Sequence, residues 1–395
     1  MKRPEQKTEI KTIAGKNRII ENIIGALLSK DRFLLLGHDN PDEDCIAAMV
    51  AFGLLASRLD KTCYILTCSE INENYRYLLN ICRYNSIITI ENCAELPGGV
   101  GGLVIMDTAK PSMLPKSEKL HELYEDETVL KIEFDHHLGS DSGYIGDEGY
   151  CLVTGASSSS ELVGLLAFKL RCHEKLPASL RQENLMTRNF VLAVLTGIIG
   201  DSKMGKYLKS KREQWFYRLF SGLFEEILLK ETFKDSKNFS TMEQVYGEIF
   251  KLSKAEENCH ALFLDRMKAG KTLRWSVLGK EESVRAMGEF GQETVTAISR
   301  TVADELAEKT KVMGLVGFYD DPAHSDFIQF RLRRSQHYKG LDLRNVLEML
   351  KIENGGGHEG AVGFRIERDR VDNIDRYAEN IIEKLEERLH ESGNR

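Results

Sequence analysis

The chain has 395 residues, of which 42% are hydrophobic and 29% charged, enough apolar material for two cores. Its formal net charge of −7 excludes a globally basic nucleic-acid surface, so positive charge for a phosphate must be gathered locally, from metals or a few Arg and Lys. The longest apolar stretch, Asn189 to Gly200, is too short to cross a bilayer, and the opening residues lack the apolar core of a signal peptide. The chain therefore reads as cytoplasmic, with no membrane partner. Eight cysteines occur without a CxxC pair and read as scattered free thiols, neither a disulfide framework nor a zinc site.

Residues 15–30 place apolar side chains at helical spacing (Ile19, Ile20, Ile23, Ile24, Leu27, Leu28) and predict a first helix. Phe33 to Leu36 is a short apolar run that stops at Gly37, a buried strand, and a helix follows from about Asp44 to Leu59. Thr62 to Leu66, Leu103 to Met106 and Val129 to Phe134 repeat the strand signal, the last two stopping at Asp107 and Asp135. Ser157 to Ser160 before Glu161 is a capped helix start, and Phe190 to Ile199 reads as a buried helix. Glu213 to Lys254 is helix-rich, with a polar interruption at Lys234 to Ser240. Strand signals return at Ala261 to Leu264, Leu273 to Leu278, Val312 to Tyr319, Phe327 to Leu332 and Val362 to Ile366. Strands interleaved with helices predict an α/β fold: an N-terminal, mostly parallel-sheet domain over residues 15–225, a helical connector over 226–258 and a smaller α/β domain over 259–395.

The placement of acids and histidines carries the chemistry. FLLLG runs into His38, Asp42 and Asp44; GLVIM into Asp107; LKIEF into Asp135, His136 and His137; VLTGIIG into Asp201. In an open parallel sheet, ligands bind beyond the carboxyl ends of the strands, so the residues ending three of these runs should converge, and the fourth would arrive from a helix end. A lone Asp after a strand is ordinarily a turn residue or a helix cap; it is the joint occurrence that points to a site. Imidazole and carboxylate without thiolate suit Mn²⁺, with Mg²⁺, Fe²⁺ or Co²⁺ as substitutes. So many acids repel unless cations neutralise them, and two divalent ions roughly 3.5–4 Å apart, sharing a bridging carboxylate and a water, would do so and activate hydroxide against a phosphoryl group.

A second constellation lies near the C-terminus, where Asn354 precedes Gly355, Gly356, Gly357 and His358. Glycines allow close backbone approach, and their N–H groups cradle anions. The same glycines also suit a plain helix C-cap and loop after LRNVLEMLKIEN. Upstream, FRLRRS holds Arg331, Arg333, Arg334 and Ser335, with Arg331 and Arg333 on one strand face, and Arg suits forked phosphate contacts.

These residues resemble the DHH phosphoesterase family. Asp135-His136-His137 matches the tripeptide that names it, HDNPDED resembles its HxxPDxD motif, MDT at 106–108 and GIIGDS at 197–202 resemble two further motifs, and GGGHEGAVGF at 355–364 resembles the GGGHxxAAG signature of the associated DHHA1 domain. The motifs run in the expected order over nearly the whole chain, and the set is similar to that of nano-RNase or oligoribonuclease-type members with phosphoadenosine phosphate phosphatase activity. The resemblance implies one metal on His38, Asp42 and Asp107 and another on Asp44, Asp107, His136 and Asp201, with Asp107 bridging. It implies that His137 polarises or positions the scissile phosphate, that Asp135 orients a histidine, and that Arg333 or Arg334, Ser335, Gly356, Gly357 and His358 hold the substrate. The active site would lie in the cleft between the domains. Ala47-Ala48, Ser202-Lys203-Met204 and AVG depart from the family's usual residues while leaving the ligands intact, so they bear on substrate preference.

The expected activity is Mn²⁺-dependent hydrolysis of short oligonucleotides or linear dinucleotides, extending to phosphoadenosine phosphate, with cyclic di-AMP as the alternative substrate. A RecJ-like exonuclease on long single strands fits less well without a basic track, and a non-enzymatic nucleotide-binding regulator would require lost ligands. A homodimer is compatible with the sequence, which fixes no oligomeric state.

Overall fold

The computed structural model describes residues 6–68, 71–139, 141–174, 176, 184–230, 239–323 and 325–393. The chain divides into two compact units, Met1–Lys251 and Leu252–Arg395.

The first unit is built on strands β1 (Arg32–Leu36), β2 (Thr62–Leu66), β3 (Ile87–Ile90), β4 (Gly102–Met106), β5 (Leu130–Asp135) and β6 (Cys151–Val153). They form one sheet in the order β3-β2-β1-β4-β5-β6, every neighbouring pair parallel. A parallel sheet is covered on both faces, which is why Phe33 to Leu36 and Leu103 to Met106 are apolar without alternation and wholly buried. One face is covered by a core shared among α1 (Ile13–Ser29), α2 (Glu43–Ser57), α3 (Arg76–Arg83) and α5 (Ser159–Arg171), with α6 (Arg188–Asp201) and α7 (Lys211–Lys230) in a further layer packed on those helices. The opposite face carries Leu34, Leu36, Leu103 and Ile105 against α4 (Glu118–Glu125). Helix α2 is buried on all sides from Asp44 to Ala56, because it lies between the sheet and α5 and α6. Helix α8 (Met242–Ile249) closes this unit. Among the described residues no helix is long and apolar enough to cross a membrane.

The second unit holds α9 (Lys254–Asp265), β7 (Met267–Ala269), β8 (Arg274–Val277), α10 (Lys280–Phe290), α11 (Gln292–Thr310), β9 (Met313–Tyr319), β10 (Phe327–Arg334), α12 (Leu343–Met349), β11 (Gly355–His358), β12 (Ala361–Glu367) and α13 (Ile374–Gly393). Its sheet order is β11-β12-β10-β9-β8-β7, antiparallel except for the β8–β9 pair. Helices α12 and α13 pack on Leu315, Phe330, Leu332 and Phe364 of one face, and α9, α10 and α11 pack on Val316 and Phe318 of the other.

Four expectations are corrected. Ala261 to Leu264 lies inside α9, not in a strand: a four-residue apolar run has no period of its own, and the Ser253 capping box starts a helix that passes through it. The Gly355–His358 segment is an edge strand paired with β12, not a loop, because the partner strand supplies the pairing that glycine does not favour by itself. Strands β3 and β6 complete the sheet although their runs are too short to stand out. Cys68 and Cys93 form a disulfide, with Cα atoms 5.9 Å apart, while six cysteines are free. Parallel pairing of β2 with β3 sends the segments leaving their ends side by side, a closeness invisible in the spacing of 25 residues. The polar interruption at Lys234 to Ser240 falls mostly outside the described residues.

Helix α11 approaches β9 at Gly314, where an added Cβ would stand 2.6 Å from the Ala303 carbonyl oxygen and the Ala307 nitrogen. Backbone atoms cannot swing aside, so Gly314→Ala is expected to destabilise the second unit by roughly 1–3 kcal/mol. A urea titration would show an earlier midpoint, and an unchanged midpoint would contradict this packing.

Candidate metal centre

The parallel sheet sends the carboxyl ends of its strands to one edge, and the acidic and histidine residues leave from that edge. His38 follows β1, Asp107 follows β4, and Asp135, His136 and His137 end or follow β5. Asp42 is the N-cap of α2, its side chain accepting from the Cys45 N–H at 3.1 Å, and Asp44 sits in the first turn of that helix. Asp201 is the last residue of α6. Asp107 has a left-handed backbone, φ +49°, an uncommon conformation for a residue other than glycine that re-aims its carboxylate as the chain leaves β4. Its N–H still donates to the Phe134 carbonyl at 2.9 Å, which ties it to β5.

Three groups place their donor atoms within 4.8 Å of one another: His38, Asp42 and Asp107; Asp44, His136 and Asp201; and Asp107, His136 and His137. All six residues expected as ligands are thus brought together. His136 Nε2 lies 3.3 Å from Asp107 Oδ1 and 3.2 Å from Asp201 Oδ2, and His38 Nε2 lies 3.8 Å from Asp42 Oδ1. The Nδ1 of His38 faces the Asp39 carbonyl at 2.9 Å, which leaves Nε2 for a ligand. His137 is nearly half exposed, with Nδ1 at 2.8 Å from Asp135 Oδ1 and 3.5 Å from Asp107 Oδ1.

This donor set fits divalent cations. Four carboxylates (Asp42, Asp44, Asp107, Asp201) balance the charge of two such ions, and the imidazoles of His38 and His136 complete the set. The nearby Cys45 is no competitor: burial, then the charges of Asp107 and Asp42, push its thiol far up, and its sulfur faces the Met106 carbonyl. Electrostatics record the crowding. Burial, followed by repulsion from Asp107, raises the Asp44 carboxyl to about 7, and burial followed by Asp44 raises that of Asp201. Burial opposes charge on His38, yet its bond to Asp42 lifts it to about 9 and holds Asp42 down. For His136, burial is again outweighed, by the hydrogen bond to Asp107 and the charge of Asp201, and the ring is raised.

The sequence reading missed several contributors. The first turn of α5 presents the Ser159 and Ser160 N–H groups to Asp44, at 2.5 Å on Oδ2 and 3.0 Å on Oδ1, and the Ser159 hydroxyl donates to Asp107 at 3.0 Å. Free N–H groups at a helix start suit a buried carboxylate. The serine run was legible only as a helix cap, since nothing in it names its acidic partner. Glu43, raised to about 7 by burial and Asp42, adds a further acid beside the cluster.

In the second unit, the expected substrate-binding residues are engaged internally. Arg333 Nε lies 3.4 Å from Asp304; Arg334 donates to the Leu341 carbonyl at 2.7 Å and lies 3.6 Å from Glu359; the buried Ser335 donates to Glu308 at 3.2 Å. Gly356 and Gly357 belong to β11, and Gly357, at φ +146°, sits where a Cβ would meet the Ala361 carbonyl. His358 pairs with Ala361 through its backbone; its side chain lies outside the described residues. Arg331 differs from these. It is 9% exposed, donates among the described residues to the Phe330 carbonyl and to Gln329, and borders a cavity of about 410 Å³ lined also by Asn354, Gly355, Gly363 and Arg365. Burial, then Arg300, Arg333 and Arg365, pulls its pKa down to about 10.

No protein-family model matches the chain. An uncharacterized protein of Methanocaldococcus jannaschii is 28% identical over 201 residues, 51% of this chain and 53% of that protein, so the match spans about half the length of that curated relative. Among solved structures, an exopolyphosphatase-related protein from Bacteroides fragilis superposes with a TM-score of 0.62 at 18% identity, covering 97% of this chain and 98% of its own. A pGpG-specific phosphodiesterase from Vibrio cholerae reaches a TM-score of only 0.37 at 15% identity, over 90% of this chain and 99% of its own, and carries no weight.

With cations stripped away, Asp44 keeps its proton in the folded state up to about 7, whereas the unfolded carboxyl releases it at the ordinary value of 3.8. The folded state then binds more protons across that window, so stability falls as pH rises from about 4 through 7. Chelator-treated protein should therefore melt at lower temperature at about pH 8 than at about pH 5, and added Mn²⁺ should reverse the trend by binding the ionised carboxylates. A melting temperature indifferent to both pH and divalent ions would contradict the cluster. Over nearly its whole length the chain shares the fold of that exopolyphosphatase-related protein.

Proposed function

We propose that this chain is a metal-dependent phosphodiesterase of the DHH/DHHA1 type, using two divalent cations, Mn²⁺ foremost, to hydrolyse short oligonucleotides or linear dinucleotides. The observation that carries the reading is the convergence of His38, Asp42, Asp44, Asp107, His136 and Asp201 at one sheet edge, with Asp107 common to two of the three donor groups. His38, Asp42 and Asp107 would hold one ion and Asp44, Asp107, His136 and Asp201 the other. When bound, the cations supply a hydroxide at neutral pH and neutralise charge on the phosphoryl oxygens.

The protein's own residues do the rest. The left-handed backbone of Asp107 at the end of β4 supports the bridging role, since its carboxylate falls in one donor group with His38 and Asp42 and in another with His136 and His137. Ser159 fixes the Asp107 carboxylate, and the start of α5 fixes that of Asp44, so neither must reorganise when a substrate arrives. His137 gives Nδ1–H to Asp135, which leaves Nε2 to face a phosphate oxygen from the exposed side of the cluster. In the second unit, a buried Arg331 beside Arg365 and glycine backbone offers forked donors to a phosphate, the contact first sought at Arg333, Arg334, Ser335, Gly356, Gly357 and His358.

The test is a panel of linear dinucleotides, cyclic di-AMP, phosphoadenosine phosphate and longer single strands, incubated with Mn²⁺ and resolved by chromatography. Linear dinucleotides should be cleaved fastest, and Asp107→Ala should lose at least about 10³-fold in rate, near 4 kcal/mol of barrier. Preferential cleavage of cyclic di-AMP would replace the substrate assignment. Failure to cleave any phosphoester with Mn²⁺, Mg²⁺ or Co²⁺ would refute the activity.

A further inference from the structure

Lys7 lies in the segment before α1 that the composition marks only as polar, yet its side chain is fully buried. Lysine is almost never fully buried without partners. Here the ammonium donates to Asp135 Oδ2 at 2.5 Å and to the Thr108 carbonyl at 2.6 Å, and it stands 2.7 Å from Glu133 Oε1. Thr108 directly follows Asp107 at the end of β4, and Asp135 directly precedes His136 and His137 at the end of β5. One cation thus ties together the two strand ends that deliver Asp107 and the paired histidines.

The two oxygens of Asp135 are divided. Oδ2 takes Lys7, while Oδ1 takes the His137 ring at 2.8 Å and the His137 N–H at 3.2 Å. Glu133, on the same strand face two residues earlier, gives Oε2 to the Ile145 and Gly146 N–H groups, each at 3.0 Å, and turns Oε1 to Lys7. Without an ammonium between them, these two buried carboxylates would repel, and Asp135 would lose the contact that sets its plane. The segment carrying Lys7 is held by other bonds as well: Ile10 N–H to the Val153 carbonyl at 3.3 Å, Thr8 N–H to the Tyr144 hydroxyl at 3.1 Å, and Gln6 to the Gly139 carbonyl at 3.0 Å.

We propose that Lys7 is a positioning residue that aims the His137 ring at the metal cluster by locking the Asp135 carboxylate. The inference rests on the reading of His137 as the group facing the scissile phosphate. A distant lysine thereby becomes part of the machinery, without touching substrate or metal.

The experiment compares wild type, Lys7→Met, Asp135→Ala, their double variant, and Lys7→Met/Glu133→Gln, the last removing one buried charge of each sign so that folding is spared. Protein carrying ¹⁵N-histidine, metal-free and Mg²⁺-loaded, is read by NMR for the His137 Nδ1–H resonance, assigned through His137→Gln. Turnover is measured on the linear dinucleotide the wild type cleaves best, and bound metal is counted. Both Lys7 variants should lose the resonance and roughly tenfold or more in kcat, with KM and metal content little changed. The double variant with Asp135→Ala should be no slower than Asp135→Ala alone, because the two residues act in series. Retention of the resonance and of kcat in Lys7→Met/Glu133→Gln would overturn the proposal, reducing Lys7 to a counter-charge for Glu133, and so would losses that multiply in the double variant. If the wild type cleaves no phosphoester, the proposed function has failed, and the resonance alone still decides whether Lys7 orients His137.

Discussion

Mutual repulsion among acids gathered at one edge of a parallel sheet is the constraint on which the first unit turns. Asp42, Asp44, Asp107 and Asp201 come together there, with Glu43 beside them, and burial denies Asp44 and Asp107 the water that would screen their charges. The fold meets this with aimed dipoles and fixed partners. The start of α5 points N–H groups at Asp44, and Ser159 adds a hydroxyl for Asp107. His38 and His136 sit among the acids, and Lys7 takes up the neighbouring pair Glu133 and Asp135. What these partners leave unbalanced suits divalent cations, and so a charge that would otherwise destabilise the sheet edge becomes a binding site.

The second unit states the opposite problem. Arg331 is a buried cation near other arginines, and among the described residues its hydrogen bonds go to a carbonyl and an amide, not to a carboxylate. A buried charge left this way favours an anion as partner. The cavity beside it is lined by glycines whose absent side chains keep it open, since a Cβ on Gly363 would stand 3.0 Å from the Arg331 guanidinium. The first unit thus gathers acids that call for cations, and the second holds a buried cation that calls for an anion.

Much of this was legible in the sequence, and the exceptions share a cause. The buried strands β1, β4 and β5 announce themselves as apolar runs, and the Asp and His residues that end them are readable because a parallel sheet sends strand ends to one edge. What the sequence hid were relations between distant segments. Lys7 gives no sign of its partners more than a hundred residues away, the four serines before Glu161 look like a helix cap, and Cys68 and Cys93 meet only because β2 and β3 are neighbours. The Arg331 environment was hidden likewise: strand alternation places it beside Arg333, but only the structure gives Arg333 an ion pair with Asp304 and, among the described residues, Arg331 hydrogen bonds to a carbonyl and an amide instead. Local period also failed where runs were short, as at Ala261 to Leu264 and Gly355 to His358, where tertiary context decided helix or strand.

The most direct test of the account is a metal count. Protein stripped with chelator, reconstituted with Mn²⁺, freed of excess ion and analysed by mass spectrometry should carry about two ions per chain, and the Asp107→Asn variant should carry fewer because it removes the residue common to two donor groups. A wild-type chain that retains no ion, or an Asp107→Asn variant that retains as many as the wild type, would contradict the two-cation site at the sheet edge.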